Sequence, residues 1–237
     1  MRNACLVTAV SLVLVGCVEH GSSPDGGVRS DASGDGANPC GSQMQVRVRL
    51  VDWDASAATG SGVPGAQFTL LGFPSVTATT GADGRLELCA PKASRWVFDV
   101  DAPGSFVDAT AYVEAAAATG FLPITFRVFT AARAPTFFAE RGLAFDPNRA
   151  QVLGFLTGDG AALSLDRPHG PVQSAGDDGT PGTFLWTAGD GGRYQLFPNV
   201  DVTQPSGTVS GDPAGPHVIP LAAGKLTLAA IHFVFLD

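Results

Sequence analysis

The side chains that could hold a metal ion are few and far apart in this sequence. Its four histidines are His20, His169, His217 and His232. They form no His-x-His, HExxH or histidine–cysteine grouping, the short spacings that bring two ligands to one metal ion. The sequence therefore predicts no metal site and no cofactor. His232 stands inside an apolar run, which is typical of a hydrogen-bonded core histidine.

One set of residues nevertheless offers iron chemistry. Gly192-Arg193-Tyr194 resembles a strand of the ring-opening intradiol dioxygenases, which bind iron through two tyrosines and two histidines. Tyr112, His217 and His232 would complete such a set. The paired His-x-His of that family is absent, and Tyr194 does not occupy the family's ligand position. A metal-dependent oxygenase using Tyr194, His217 and His232 is therefore kept only as an alternative.

Hydrolytic and acid–base chemistry is not favoured either. No G-x-S-x-G sequence is present to form a nucleophile elbow. Asp52 and Asp54 flank Trp53 at a predicted strand end, a pattern more typical of a solvated edge than of a carboxylate pair. Strand alternation places Trp96 in the core, whereas Trp53 is the best candidate for a surface aromatic that stacks on a sugar. We expect a protein that is not an enzyme, with Trp53 as a speculative binding residue.

Two of the four cysteines are predicted to form a disulfide. Cys5 and Cys17 belong to the N-terminal segment considered next, which leaves Cys40 and Cys89. In an oxidising compartment these two allow one pairing. Closing the long loop between them would stabilise the fold by roughly 4 kcal/mol in the chain-entropy model. Two buried free thiols are the alternative.

The N-terminus has the pattern of an export signal. The apolar run Ala4–Val15 is shorter than the ~20 residues of a membrane span but fits the apolar region of a signal peptide. It ends Leu14-Val15-Gly16-Cys17, which resembles the lipobox of bacterial lipoproteins. The resemblance implies a signal peptide over residues 1–16 and acylation of the Cys17 thiol, which would hold the protein to a lipid bilayer.

Composition and the residue after Cys17 suggest a location and limit the partners. In enteric bacteria, an Asp directly after the acylated cysteine retains a lipoprotein at the inner membrane. Val18 occupies that position here, so the outer membrane is favoured. The formal net charge of −8 repels phosphate backbones, so no nucleic-acid partner is expected. A glycan or protein partner stays open.

Residues 17–42 are interpreted as the lipidated cysteine and a flexible linker. The segment is rich in Gly, Ser, Asp and Pro and has almost no large apolar side chain, so it cannot offset the entropy of ordering. Its Asp-Gly pairs lack the spacing of an EF-hand and no Glu closes the run. A tether is therefore predicted rather than a calcium loop.

Alternation of apolar and polar residues predicts short antiparallel strands after the linker. In Met44–Val51, every second residue from Val46 to Leu50 is apolar. The turn sequence Gly81-Ala82-Asp83-Gly84 predicts that Arg85–Leu88 is the hairpin partner of the strand before it. The last strand, Leu226–Leu236, is apolar on both faces, which favours a central, buried position. The other predicted strands are Gln67–Leu71, Ser75–Thr80, Trp96–Val100 and Phe121–Thr130.

The first of these strands carry a family resemblance. Val46–Asp52, the run Val63-Pro64-Gly65-Ala66-Gln67-Phe68-Thr69-Leu70 and the run Thr80–Leu86 are similar to carboxypeptidase regulatory-like domains. These are transthyretin-like (prealbumin-like) β-sandwiches. The resemblance implies a fold and not an activity, because that family is mainly non-catalytic.

A second copy of this pattern predicts a tandem arrangement. Gly160–Leu165 resembles Gly65–Leu70, and Thr187–Leu196 resembles Thr80–Leu88. Between the copies, Pro135–Gly142 reads as a short helix, with Pro near its start and Gly at its end. The sequence thus predicts an all-β protein of two antiparallel β-sandwiches: 43–133, a helical connector at 134–147, and 148–237.

The predicted function is that of a membrane-anchored lipoprotein acting as a non-catalytic, surface-displayed accessory or binding module. Too few His, Cys and paired carboxylates are present to build a catalytic site. Ligand binding, if any, is expected at loop tips, at Asp52–Gly62 or Arg167–Pro181. The alternatives are the metal-dependent oxygenase and a purely structural envelope protein.

Overall fold

A computed structural model of the chain describes residues 39–55, 61–115, 123–157, 162–176, 185–189, 192–211 and 215–232. These residues belong to one compact unit, Ala37–Asp237. The predicted signal peptide, Cys17 and nearly all of the predicted linker lie outside the described residues. Within those ranges, no helix has the length and apolar character needed to cross a membrane.

The described residues form fifteen strands and one short helix, which confirms the predicted all-β class. The strands are β1 (Met44–Asp52), β2 (Gln67–Leu70), β3 (Thr77–Thr79), β4 (Arg85–Ala90), β5 (Arg95–Asp101), β6 (Ala109–Glu114), β7 (Ile124–Val128), β8 (Ala150–Thr157), β9 (Leu163–Leu165), β10 (Gln173–Gly176), β11 (Leu185–Ala188), β12 (Tyr194–Val200), β13 (Ser206–Gly211), β14 (His217–Pro220) and β15 (Leu226–His232). The helix is α1 (Arg133–Ala139).

Nine of these strands form one mixed sheet in the order β11-β10-β12-β8-β15-β6-β5-β2-β3. The last strand, β15, lies at the centre, as its apolar character on both faces predicts. It runs parallel to both of its neighbours, β6 and β8. The predicted antiparallel pairing does not hold for β15, because strands buried on both faces are typical of parallel pairing. β1 and β7 of a covering sheet also pair in parallel.

Two three-stranded sheets cover the opposite faces of the nine-stranded sheet. The sheet β4-β1-β7 encloses the larger core, to which Leu226, Leu228 and Ala230 contribute. The sheet β14-β13-β9 encloses the smaller core, which contains Ala229 and Ile231. Since successive residues of a strand point to opposite faces, β15 supplies side chains to both cores.

The predicted boundary between two sandwiches does not divide the structure. β15 comes from the predicted second sandwich, 148–237, yet it pairs with β6 of the predicted first sandwich, 43–133. The predicted connector, 134–147, contains most of α1, whose residues Phe137 and Phe138 are buried in the larger core. The helix is thus part of the folded body and not a link between two bodies.

The predicted hairpin at Gly81–Gly84 is also corrected. β3 pairs with β2 in the nine-stranded sheet, whereas β4 pairs with β1 in the covering sheet. The turn therefore carries the chain from one sheet to the other. Gly84 has a φ of 74°, and a Cβ placed on it would lie 2.2 Å from the carbonyl oxygen of Leu50. Only glycine fits this turn without displacing β1.

The two segments that suggested an internal repeat occupy different places in the fold. β2 lies in the nine-stranded sheet, whereas β9, at the end of the matching segment, lies in the smaller covering sheet. The turn before β4 joins two sheets, whereas β11 and β12 both flank β10 within one sheet. The sequence similarity therefore reflects shared turn residues and not a repeated unit.

Candidate ligand-binding site

A cavity of about 700 Å³ opens beside α1, at the end of the nine-stranded sheet where β6, β8 and β15 begin. Volumes of this size hold small molecules in many proteins. The wall is mostly apolar, with polar side chains at a few points. The lining residues are Val107, Phe129, Ala131, Pro135, Ala139, Leu143, Ala144, Phe145, Pro147, Arg149, Gln151, Gly224 and Lys225.

The helix that forms one wall is fixed at both ends. At its start, the Arg133 amide donates a hydrogen bond to the Thr130 hydroxyl oxygen at 3.1 Å, and Pro135 occupies the first turn, where its missing N–H is harmless. At its end, Gly142 adopts a φ of 67°, and the Leu143 amide donates to the Phe138 carbonyl at 2.9 Å. The helix begins two residues earlier than the predicted Pro135–Gly142 and ends at Ala139.

Asn199 anchors a second wall of the cavity to β8. Its side-chain amide donates to the Ala144 carbonyl at 2.6 Å, and its Oδ1 accepts from the Asp146 amide at 3.0 Å. The Oε1 atom of the buried Gln151 accepts a hydrogen bond from the Asn199 backbone amide at 2.8 Å. Asn199 has a φ of 54° at an irregularity of β12, a conformation that asparagine tolerates better than most residues. This strained residue therefore holds the 144–146 segment in place.

The charged residues that line the cavity are both cationic. Arg149 donates to Asp201 at 2.7 Å, and Lys225 to Asp99 at 2.8 Å. Hydrogen bonds from the Thr203 hydroxyl and amide, together with Arg149, hold the pKa of the Asp201 carboxyl below its ordinary value. Arg149 also lies 3.7 Å from the carboxylate of Asp146. These ion pairs fix both cations at the edge of the apolar cavity.

The polar side chains that line the cavity are of few kinds. Among the described residues that line it, none is Ser, Cys, His, Tyr, Asp or Glu. The lining therefore offers no hydroxyl or thiol nucleophile and no carboxylate base, and its amine, on Lys225, is paired with Asp99.

The prediction that Trp53 is a surface aromatic is wrong. Trp53 is fully buried, because the chain turns inward directly after β1. Its ring is stacked on Trp186, with 4.9 Å between centroids, and packs edge-on against Phe129 at 4.8 Å and Phe137 at 5.2 Å. Trp96 is in the core, as predicted. Trp53 therefore attaches α1 to β1 and cannot stack on a sugar.

Charged residues fasten the outer side of the same helix. Arg133 contacts Asp54 at 2.6 Å and Glu140 at 2.8 Å. The hydrogen bond from Arg133 to Glu140 holds the pKa of the Glu140 carboxyl below its ordinary value. The guanidinium group of Arg141 lies 3.8 Å from the centre of the Phe137 ring. Asp54 thus serves an ion pair and does not face Asp52 as an acid–base partner.

The residues proposed for an iron site do not converge. Tyr194 belongs to the larger core, where its hydroxyl donates to the Thr125 carbonyl at 3.3 Å. Tyr112 belongs to the smaller core, on the opposite face of the nine-stranded sheet, and its hydroxyl lies 3.2 Å from Nδ1 of His217. The backbone of His232 lies in β15, opposite Thr157 of β8. Across the described part of the chain, no group of three or more His, Cys, Asp or Glu could hold a metal ion.

The predicted disulfide is present between Cys40 and Cys89, whose Cα atoms lie 5.3 Å apart. It joins the chain just before β1 to the penultimate residue of β4. Cys17 lies outside the described residues. Of the loops predicted to carry function, residues 56–60 and 177–181 lie outside them too.

Sequence reasoning missed the cavity because its residues come from three stretches of the chain, at Val107, within 129–151 and at 224–225. Arg149 and Lys225 carry no local motif, and Ala131 and Ala139 are small side chains on the exposed surface of a short helix region. The available signal was indirect: Lys225 is one of only two lysines in the chain and directly precedes the central strand.

No family model matches the chain, and no curated protein matches it. Similarity to carboxypeptidase regulatory-like domains therefore stays a prediction. Three solved bacterial proteins are similar in structure. The Bacillus anthracis TIE protein matches 81% of this chain at 10% identity and a TM-score of 0.28; the match covers 34% of that protein, so this chain spans about a third of its length.

The other two are pilins. The shaft pilin SpaA from Lactobacillus rhamnosus GG matches 82% of this chain and 99% of its own, at 11% identity and a TM-score of 0.26. A streptococcal ancillary pilin matches 81% of this chain and 63% of its own, at 10% identity and a TM-score of 0.23.

Proposed function

We propose that this protein is a lipid-anchored, non-catalytic binding module of the bacterial cell envelope. Its ligand would be a small molecule with an apolar body and an anionic group. The observation that carries the proposal is the cavity beside α1, which combines an apolar wall with Arg149 and Lys225. Its lining favours binding over chemistry.

The anchor in this proposal is the acylated Cys17, within the outer membrane. The lipobox-like Leu14–Cys17 and the linker-like composition up to residue 42 support it. The Cys40–Cys89 disulfide fits an exported protein, because disulfides persist in oxidising compartments. Metabolic labelling with a fatty acid tests the anchor: wild-type protein should be labelled and Cys17→Ser should not. A labelled Cys17→Ser protein, or an unlabelled wild type, would contradict it.

Calorimetric titration with dodecanoate tests the binding site. We expect a dissociation constant on the order of 10–100 μM, as ligand efficiencies of ordinary small molecules imply. Dodecanol and dodecylamine should bind more weakly, because they lack the anionic group. Lys225→Met should reduce the preference for the carboxylate over the alcohol.

A matched pair of substitutions locates the binding. Ala139 lines the cavity and is exposed, so Ala139→Phe should fill the space without disturbing the core and should weaken binding at least about tenfold. Ala132 is also exposed, precedes α1 and does not line the cavity, so Ala132→Phe should bind like wild type. Equal affinities of the two variants would show that dodecanoate binds elsewhere. No binding by wild type would favour a structural role in the envelope.

A further inference from the structure

The turn between β2 and β3 exposes two large apolar side chains next to each other. Leu71 is 52% exposed and Phe73 is 51% exposed. Backbone hydrogen bonds hold the turn in shape: the Leu71 amide donates to the Val97 carbonyl at 2.9 Å, and the Val76 amide to the Phe73 carbonyl at 2.8 Å. The two side chains are therefore displayed by a fixed turn, and they leave apolar area exposed to solvent.

This turn lies at the end of the molecule where the described chain begins. Leu70 pairs with Phe98, so the residues after it run alongside the start of β5. Four residues separate the end of β4 from the start of β5, and that end of β4 pairs with Met44 and adjoins the Cys40–Cys89 disulfide. The disulfide thus fixes the exit of the N-terminal segment at the same end as the turn.

Only a short segment separates the proposed anchor from the described chain. Residues 17–38 precede the described chain. Because the disulfide fixes where the described chain begins, we expect the end that carries Leu71 and Phe73 to face the bilayer.

The charge at this end also suits a membrane surface. Lys92 and Arg95 are both exposed in and directly after the turn that joins β4 to β5. Arg95 lies opposite Glu114 in the β5–β6 register, so Lys92, Arg95 and Glu114 together carry one net positive charge. Cations beside exposed apolar side chains favour an interface with anionic lipid.

We propose that the β2–β3 turn inserts Leu71 and Phe73 into the bilayer to which the protein is tethered. The inference rests on the proposed anchor and adds an orientation to it. The cavity lies at the opposite end of the nine-stranded sheet, where β5 ends and β6, β8 and β15 begin. Insertion of the turn would therefore direct the cavity away from the membrane.

Tryptophan quenching by brominated lipid tests the insertion. The full chain is made by cell-free synthesis without acylation and carries an N-terminal hexahistidine tag, which attaches it to vesicles of phosphatidylcholine, phosphatidylglycerol and nickel-chelating lipid. Phe73→Trp reports on the turn. Val218→Trp is the matched control, because Val218 is similarly exposed, at 50%, but lies on β14.

With acyl-chain bromination, the fluorescence added by the tryptophan at position 73 should fall to about half or less, whereas that at position 218 should be nearly unchanged. Adding Leu71→Ser to the Phe73→Trp protein should reduce the quenching several-fold. Vesicle-bound protein with no quenching at either position would overturn the proposal and leave the turn available to a protein partner. Because the tag replaces the lipid, this result is independent of whether Cys17 is acylated.

Discussion

The two faces of the nine-stranded sheet are covered in different ways. On one face, β4-β1-β7 and α1 enclose the larger core, and a disulfide joins the approach to β1 to the end of β4. On the other face, three short strands, β9, β13 and β14, enclose the smaller core without a covalent link among the described residues. The difference implies that the larger core dominates stability, since stability scales with buried apolar area.

Each face also draws on both halves of the chain. The larger core contains Phe98 from β5 and Leu196 from β12, and the smaller core contains Tyr112 from β6 and Val152 from β8. The molecule is therefore divided by faces and not by sequence position. Three substitutions or truncations, from the largest expected effect to the smallest, test this view.

Cutting the chain at the predicted domain boundary should have the largest effect. Residues 43–133 expressed alone would leave β6 without β15, and residues 147–237 would leave β15 without β6. We expect neither fragment to show a cooperative thermal transition, because each would expose one side of a central strand. Circular dichroism in the near and far ultraviolet measures this. A cooperative transition in either fragment alone would restore the division into two domains.

The domain boundary was misplaced because a sequence pattern shows which face of a strand is buried and where a turn lies, but not which strands pair with one another. The alternation at Val46, Val48 and Leu50 identifies β1, and the apolar character of Leu226–His232 identifies a central strand. Nothing local in either segment shows which strands flank it. Pairing is decided by the twist and by the packing of whole sheets, so a turn such as Gly81–Gly84 can equally close a hairpin or join two sheets.

The candidate site was predictable only in part, for a related reason. The disulfide follows from elimination among four cysteines. The burial of Trp53 depends on Phe129, Phe137 and Trp186, which come from three distant segments. Arg127 is likewise fully buried and donates to the carbonyls of Asp52 and Trp53. A charged residue in a core becomes understandable only when the carbonyl groups that it satisfies are known.

Removing the disulfide should have an intermediate effect, confined to the larger core. We expect Cys40→Ser/Cys89→Ser to lower the free energy of unfolding by roughly 2–4 kcal/mol, since the unfolded chain regains the freedom of a loop with a 49-residue separation. Urea denaturation measures the loss. Reduced wild type should match the double variant. An unchanged midpoint in both would show that β1 and β4 are held by packing alone.

Removing the Tyr112 hydroxyl should have the smallest effect. The hydroxyl lies 3.2 Å from His217 Nδ1 and joins the nine-stranded sheet to β14 over the smaller core. Tyr112→Phe keeps the ring and removes one hydrogen bond, so we expect a loss of about 1 kcal/mol at neutral pH. A loss as large as that from the disulfide would contradict the ranking of the two faces.

The same variant gives a test in alkali that separates burial from hydrogen bonding. Burial, and secondarily Glu114, raises the pKa of the Tyr112 hydroxyl above its ordinary value of 10. The folded protein then keeps this proton at a pH where the unfolded chain releases it. The stability tied to the protonated form is therefore complete below about pH 10 and falls as the pH rises above it.

Tyr112→Phe has no proton to lose at this site, so its stability should fall less steeply between neutral and strongly alkaline pH. Urea midpoints measured for both proteins across that range should converge as the pH rises, and parallel curves would show that the Tyr112 hydroxyl titrates as it does in water.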